Sequence, residues 1–336
     1  MIRNYLLLFA ILFLIIGGVV FVFMRPVAMK IERSATIHAP VEEVYAKVVD
    51  FNEWSKWSPW LVAEPTTPTK VEGDGKSVGS VYSWKGKIIG AGELEHQVIT
   101  PNQALDMEIR FFDPKSTSKV GFQFEKQVID SKEVTKVNWY MDSKIPSMLK
   151  TLMTTFLSID YDRGLGMLKT LVEDGEVHSK VEVKGNAERP AMKYMGVEFR
   201  CKIEEVGLES SKAYEVLKSK LTAAGIPFPQ EFVSVYNEID YQAREFGAIA
   251  SCPVDQFPET LPEGLVSGEI PAHNAYQVDH IGSFTHLGNG WFTGQHYLRH
   301  KKLKQSKKIK SYEIYPANWE EISVEERTTR IFFPIE

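Results

Sequence analysis

The residues best suited to chemistry lie late in the chain, in Ser311-Tyr312-Glu313-Ile314-Tyr315. If this stretch is a strand, its pleat puts Tyr312 and Ile314 on one face and Glu313 on the other with Ser311 and Tyr315. A carboxylate among aromatic rings suits a soft organic cation, because the rings add cation–π attraction and an unpaired charge is costly to desolvate. The competing reading is a solvated glutamate on an edge strand. Tyr276, Trp291, Tyr297, Tyr315 and Phe333 are candidates for the walls of a ligand cleft around Glu313, and each of them is also an ordinary core residue. An enzymatic reading uses the same carboxyl with Tyr315 or Tyr276 as an acid/base pair.

Other constellations carry less. Gly73-Asp74-Gly75-Lys76-Ser77 imitates the end of a phosphate loop, but Lys70 stands where its first glycine belongs. His273, His280 and His286 have no acidic or cysteine neighbours at metal-ligand spacing, so no metal and no cofactor is expected. No G-x-S-x-G elbow is present. Residues 299–310 hold seven Lys or Arg, which reads as a solvated helix end and turn or as a contact with anionic lipid.

The chain has 336 residues, 43% hydrophobic and 25% charged, enough for two domains with separate cores. A net charge of -5 and a pI near 6.0 exclude nucleic acid as the main partner, since phosphate backbones need a basic footprint. Cys201 and Cys252 are the only cysteines, too few for a disulfide framework. Residues 5–24 carry no charge, and a helix needs about 20 such residues to cross a bilayer. Residues 1–30 therefore read as a single-pass anchor in the cell (inner) membrane, with Arg3 against Arg25, Lys30 and Arg33 leaving the side of the body open.

Residues 31–175 form the first expected domain. After a short strand, Pro40 sets up a helix in which Val41, Val44, Tyr45 and Val48 share one face. A loop with Trp54, Trp57 and Trp60 follows, its rings either rimming a pocket or sealing the domain's end. Period-two stretches such as Leu105, Met107, Ile109 and Phe111 predict antiparallel strands. A long amphipathic helix over residues 147–173, softly interrupted at Gly164 and Gly166, closes the domain, with Met148, Met153 and Met167 as adaptable core. Ile37, Ala39, Pro40, Val44 and Tyr45, then Asp50, Phe51, Trp54, Trp57 and Pro59, resemble the opening signature of the polyketide cyclase branch of the START and birch-pollen-allergen superfamily. That resemblance implies a helix-grip α+β fold with a cavity for an apolar ligand.

Residues 176–336 read as two β-α-β-β modules. The first has a strand around 197–203, a helix with Tyr214, Leu217 and Leu221 inward, a Gly225-Ile226-Pro227 stop, and strands at 232–239 and 248–254. The second has a strand at 266–280, a helix with Phe284, Leu287, Trp291 and Leu298, and strands at 311–315 and 330–335. A ligand cleft is expected at the junction of such a duplication. Residues 246–254, residues 268–280 with Gly282, and Tyr312 to Tyr315 resemble the gyrase-inhibitor-like effector-binding family. The resemblance implies that Glu313 faces the cleft and meets cationic or polar ligands. No helix-turn-helix precedes this half, so a transcription-factor reading is not supported. The whole reads as a membrane-anchored protein that binds or senses a small hydrophobic or cationic organic ligand; the two resemblances imply as the alternative a hydrolase or cyclase acting on a small organic substrate in the C-terminal cleft, and a structural partner role is a third.

Overall fold

The structure is a computed structural model, and it describes residues 23–112, 115–240 and 242–336, with the Glu204 side chain left out. Chain contacts divide it into two compact units. The first comprises the residues up to Trp57, Pro68–Lys85 and Gly90–Gly175; the second comprises Ser58–Thr67, Gly86–Ile89 and Glu176–Glu336. Glu64 ties the two early segments of the second unit together, accepting from the backbone N–H of Lys87 and Ile88 at 2.9 and 2.8 Å.

In the first unit, β1 (Pro26–Ile37) leads to helix α1 (Val41–Val49). Pro40 at its N-cap starts α1, Glu42 and Glu43 sit in its first turn and Lys47 in its last, each on the favourable end of the dipole. Val41, Val44, Val48 and Val49 are its buried face. Strands β2 (Thr69–Glu72), β3 (Val81–Lys85), β4 (Ala91–Thr100), β5 (Ala104–Phe112), β6 (Lys115–Ile129) and β7 (Lys132–Pro146) follow, then helix α2 (Lys150–Glu173). The sheet is antiparallel in the order β1-β7-β6-β5-β4-β3-β2. This is a mixed α+β arrangement with the antiparallel strands expected from the alternating pattern, consistent with the helix-grip fold that the resemblance implied.

Aromatic rings fill the space under α2. Trp139 of β7 stacks on Tyr161 of α2 at 4.0 Å and on Phe122 of β6 at 4.9 Å. Trp57 packs edge-on against both Phe122 and Trp139. The Trp54 and Trp57 indoles donate to the Val48 and Lys47 carbonyls at 2.8 and 3.3 Å, so both rings are satisfied core rather than rim. Trp60, half-buried, groups with the second unit. Two expectations for α2 change: it runs unbroken past Gly164 and Gly166, and only Met167 of the three methionines is core, Met148 and Met153 being exposed.

Among the described residues no helix is long and apolar enough to cross a membrane. The expected single-pass location in the cell inner membrane, with its transmembrane helix, is corrected on that finding. Apart from Phe23 and Met24, the segment that suggested it lies outside the described residues.

The second unit contains β8 (Ser179–Arg189), β9 (Met192–Lys202), helix α3 (Val206–Ala223), β10 (Glu231–Asp240) and β11 (Glu245–Val254). It continues with β12 (Val266–Ile270), β13 (His273–Gly282), helix α4 (Gly288–His300), β14 (Tyr312–Pro316) and β15 (Thr328–Pro334). Each repeat is thus β-β-α-β-β, one strand longer than the expected β-α-β-β. The sheet order β12-β9-β11-β10-β14-β15-β13-β8 explains the difference. The first strand of each repeat crosses to the outer edge of the other half, and an edge strand needs fewer apolar residues. In β8 only Val181, Val183 and Ala187 break a polar run, and Pro271 splits what reads as one strand into β12 and β13. Exchanging each strand for its counterpart in the other repeat reverses the order, so the sheet has a pseudo-twofold axis between β10 and β14.

The expected stop after α3 is a Schellman cap. Gly225, at φ +64°, donates to Thr222 O, and Ile226 N–H reaches Leu221 O at 2.9 Å. On α4 the decisive glycine is Gly294, where an added Cβ would stand 2.1 Å from the buried Phe333 ring. An exposed helical Gly→Ala change stabilises by about 1 kcal/mol. Here overpacking dominates, and Gly294→Ala is expected to destabilise by about 1–3 kcal/mol in urea unfolding.

Candidate functional site

The axis of the second unit brings together the residues with the most unusual environment. On β14, Tyr312 and Ile314 join one core cluster while Tyr315 joins another on the opposite face, as the pleat requires. Glu313 shares the Tyr315 face. It lies on a central strand and is 2% exposed, which excludes a solvated edge glutamate. In register, Glu313 is directly opposite Ser234 of β10 on one side and Ile331 of β15 on the other.

Two neutral groups hold the carboxyl. Tyr236 of β10 donates its hydroxyl to Oε2 at 2.8 Å, and Trp291 of α4 donates its indole N–H to Oε1. The two rings meet edge to face at 4.8 Å, and both are half-buried, so they form the outer cover of the carboxyl. Phe333 stands edge-on to Trp291 at 5.1 Å and Phe246 to Tyr236 at 5.8 Å. Among the described residues no cation pairs with Glu313. Burial therefore raises its pKa to about 7, against the smaller opposing pull of the Trp291 and Tyr236 hydrogen bonds. Burial, reinforced by the Glu313 charge, holds the Tyr236 phenol well above its ordinary value.

The other expected wall residues divide. Phe333 belongs to the ring group on Trp291. Tyr315 is 8% exposed and stands edge-on to Tyr214 of α3 at 5.5 Å. Tyr276 of β13, 2% exposed, stacks towards Tyr297 of α4 at 6.5 Å within the core under that helix. For the acid/base reading, the phenol on Glu313 is Tyr236, not Tyr315 or Tyr276. Tyr236, Ser234 and Tyr214 were missed as site residues. The available signal was the pair Ser234 and Tyr236, hydroxyl-bearing positions on one face of a strand whose other face carries Val233 and Val235.

Elsewhere, Asp74 accepts from Lys76 N–H and Ser77 N–H at 2.8 Å and from Ser80 Oγ at 2.9 Å, a closed turn in place of a phosphate loop. His280 is buried against the Ser179 hydroxyl at 3.0 Å, and burial lowers its pKa to about 4. Among the described residues no three His, Cys, Asp or Glu side chains are grouped to hold a metal. The seven cations of residues 299–310 are all exposed.

With this geometry in hand, the chain can be set against known proteins. Residues 28–173 match the family described as polyketide cyclase/dehydrase and lipid transport. That match covers the sheet of the first unit and α2. No curated protein matches the chain. Similar solved structures include truncated norcoclaurine synthase from Thalictrum flavum, 13% identical, covering 44% of this chain and 96% of that one with a TM-score of 0.35. Protein CV1439 from Chromobacterium violaceum is 18% identical over 43% of this chain and 98% of its own, with a TM-score of 0.33. SAV2435 bound to tetraphenylphosphonium is 10% identical over 46% and 94%, with a TM-score of 0.36.

Proposed function

We propose that the chain is a small-molecule binding protein whose second unit, a gyrase-inhibitor-like module, takes a lipophilic organic cation on Glu313. The observation that carries this reading is a carboxyl 2% exposed, held among the described residues by the neutral donors Trp291 and Tyr236 and surrounded by rings. A buried carboxylate without a counter-ion is unfavourable. A cation with an apolar surface supplies the missing charge, and the faces of Trp291, Tyr236 and Phe333 supply cation–π attraction and contact area. Because Trp291 and Tyr236 cover the carboxyl, the ligand enters by parting them.

Proton and cation compete for Glu313. With the carboxyl titrating at about 7, cation affinity is expected to rise with pH through that value, falling about tenfold per unit below it. Calorimetric titration of the full chain with tetraphenylphosphonium at pH 6 and pH 8 tests this. Tighter binding at pH 8, with about one proton released per cation at pH 6, is expected, together with loss of binding in Glu313→Gln. Equal affinity at both pH values, or wild-type affinity in Glu313→Gln, would remove Glu313 from the site.

A second reading has its own support, since a carboxyl titrating at about 7 is suited to general acid/base work at neutral pH. Turnover of a small electrophilic substrate by the wild type, lost in both Glu313→Gln and Tyr236→Phe, would favour hydrolysis or cyclisation over capture.

A further inference from the structure

The two halves of the second unit present the same framework with different charge. Ser234 and Glu313 face each other across the β10–β14 pair, with the pseudo-twofold axis between them. The sequence offset that relates Ser234 to Glu313 also relates Tyr236 to Tyr315. The helices complete the correspondence: Trp291 of α4 bonds Glu313, and Tyr214 of α3 places its hydroxyl 2.9 Å from Ser234 Oγ. The trio Trp291, Glu313 and Tyr236 therefore has a twin in Tyr214, Ser234 and Tyr315. The twin keeps the edge-on ring pair and one hydrogen bond from the helix residue, with a hydroxyl in place of the carboxylate. Tyr315 stands edge-on to Tyr214 at 5.5 Å, as Tyr236 does to Trp291 at 4.8 Å, and the two trios adjoin where Ser234 opposes Glu313. All three members of the twin are buried, Ser234 at 5% exposed, Tyr214 at 7% and Tyr315 at 8%.

We infer that Ser234 is the specificity-determining residue of a single two-fold site, which takes an aromatic monocation carrying its charge at one end, over Glu313, and an uncharged hydrogen-bonding group at the other, over Ser234. This rests on the cation reading of Glu313. Directly opposed residues of an antiparallel pair have Cβ atoms about 5 Å apart, so the charge and the polar group belong on one ring system and not on the two ends of a long chain. A second charge on the ligand would meet only hydroxyls at the Ser234 end, and a buried charge without a counter-charge is unfavourable. The site selects against dications for that reason.

Three probes on one ring separate the contributions: phenyltrimethylammonium, 3-(hydroxymethyl)phenyltrimethylammonium and 1,3-bis(trimethylammonio)benzene. Calorimetric titration of the full wild-type chain at pH 8 is expected to rank the hydroxylated monocation about three- to tenfold tighter than phenyltrimethylammonium, the worth of one buried hydrogen bond. The dication is expected to be weakest. In Ser234→Ala the ratio between the two monocations should fall to near one. In Ser234→Glu, with folding checked by circular dichroism, the dication should become the tightest of the three. An undiminished hydroxyl preference in Ser234→Ala overturns the assignment even if the glutamate variant does not fold. So does a folded Ser234→Glu chain that still ranks the dication last. Failure of the wild type to bind either monocation is a different result, because it removes the Glu313 reading on which the assignment rests.

Discussion

Replacing Glu313 by Gln is expected to raise the melting temperature of the chain at pH 8 and to leave it nearly unchanged at pH 4.5. In the unfolded chain the carboxyl ionises near its ordinary value of 4.5, whereas in the fold it keeps its proton up to about 7. Between those values unfolding releases a proton, so stability falls as pH rises and the contribution is fully lost above the folded pKa. The shift corresponds to about 3 kcal/mol, on the order of 10 °C for a unit of this size. Glutamine keeps an acceptor for Trp291 or Tyr236 without the buried charge, so the variant's melting temperature should lack this slope. Differential scanning calorimetry of both chains from pH 4.5 to 8 measures it. A wild-type profile that is flat, or that climbs through this window in parallel with the variant's, would mean that Glu313 is ionised and compensated in the fold. Residual stability lost at a binding residue is a common exchange for function, since the group that destabilises the free protein is the one the ligand satisfies.

The second large effect lies in the first unit. Trp57→Ala is expected to destabilise it by about 3–5 kcal/mol, in the range of aromatic-to-alanine changes in cores. Trp57 is fully buried, packs on Trp54, Phe122 and Trp139 and donates to the Lys47 carbonyl. Truncation leaves a cavity in a ring stack that reaches α2 through Tyr161. Urea unfolding checks the magnitude, and a loss below about 1 kcal/mol would indicate that the ring is a replaceable lining of a ligand cavity and not part of the packing.

Much of the framework was legible in the residues. Regular alternation from Leu105 to Phe111 became β5, because a strand with one face on the core must alternate. Pro40 and the valine spacing became α1, and Gly225 became a left-handed helix cap. The edge strands β8 and β12 were harder to read. A strand at a sheet margin is specified by its partner's backbone rather than by its own apolar pattern, and β8 pairs with β13 from the other end of the unit.

For the site, the sequence by itself determined the chemical type: a glutamate between tyrosines, on the opposite face from Tyr312 and Ile314, within a duplicated half that also supplies Trp291 and Phe333. Those facts are local, because the pleat assigns faces within one strand whatever surrounds it. Tertiary structure alone decided that Glu313 is central and buried, that Tyr236 and Trp291 are its donors, and that Ser234 is its counterpart across the axis. Each of these depends on the register of β10 against β14 and on where α3 and α4 lie over the sheet. Pairings between residues so far apart in the chain follow from packing the whole unit, and no periodicity within a single segment encodes them.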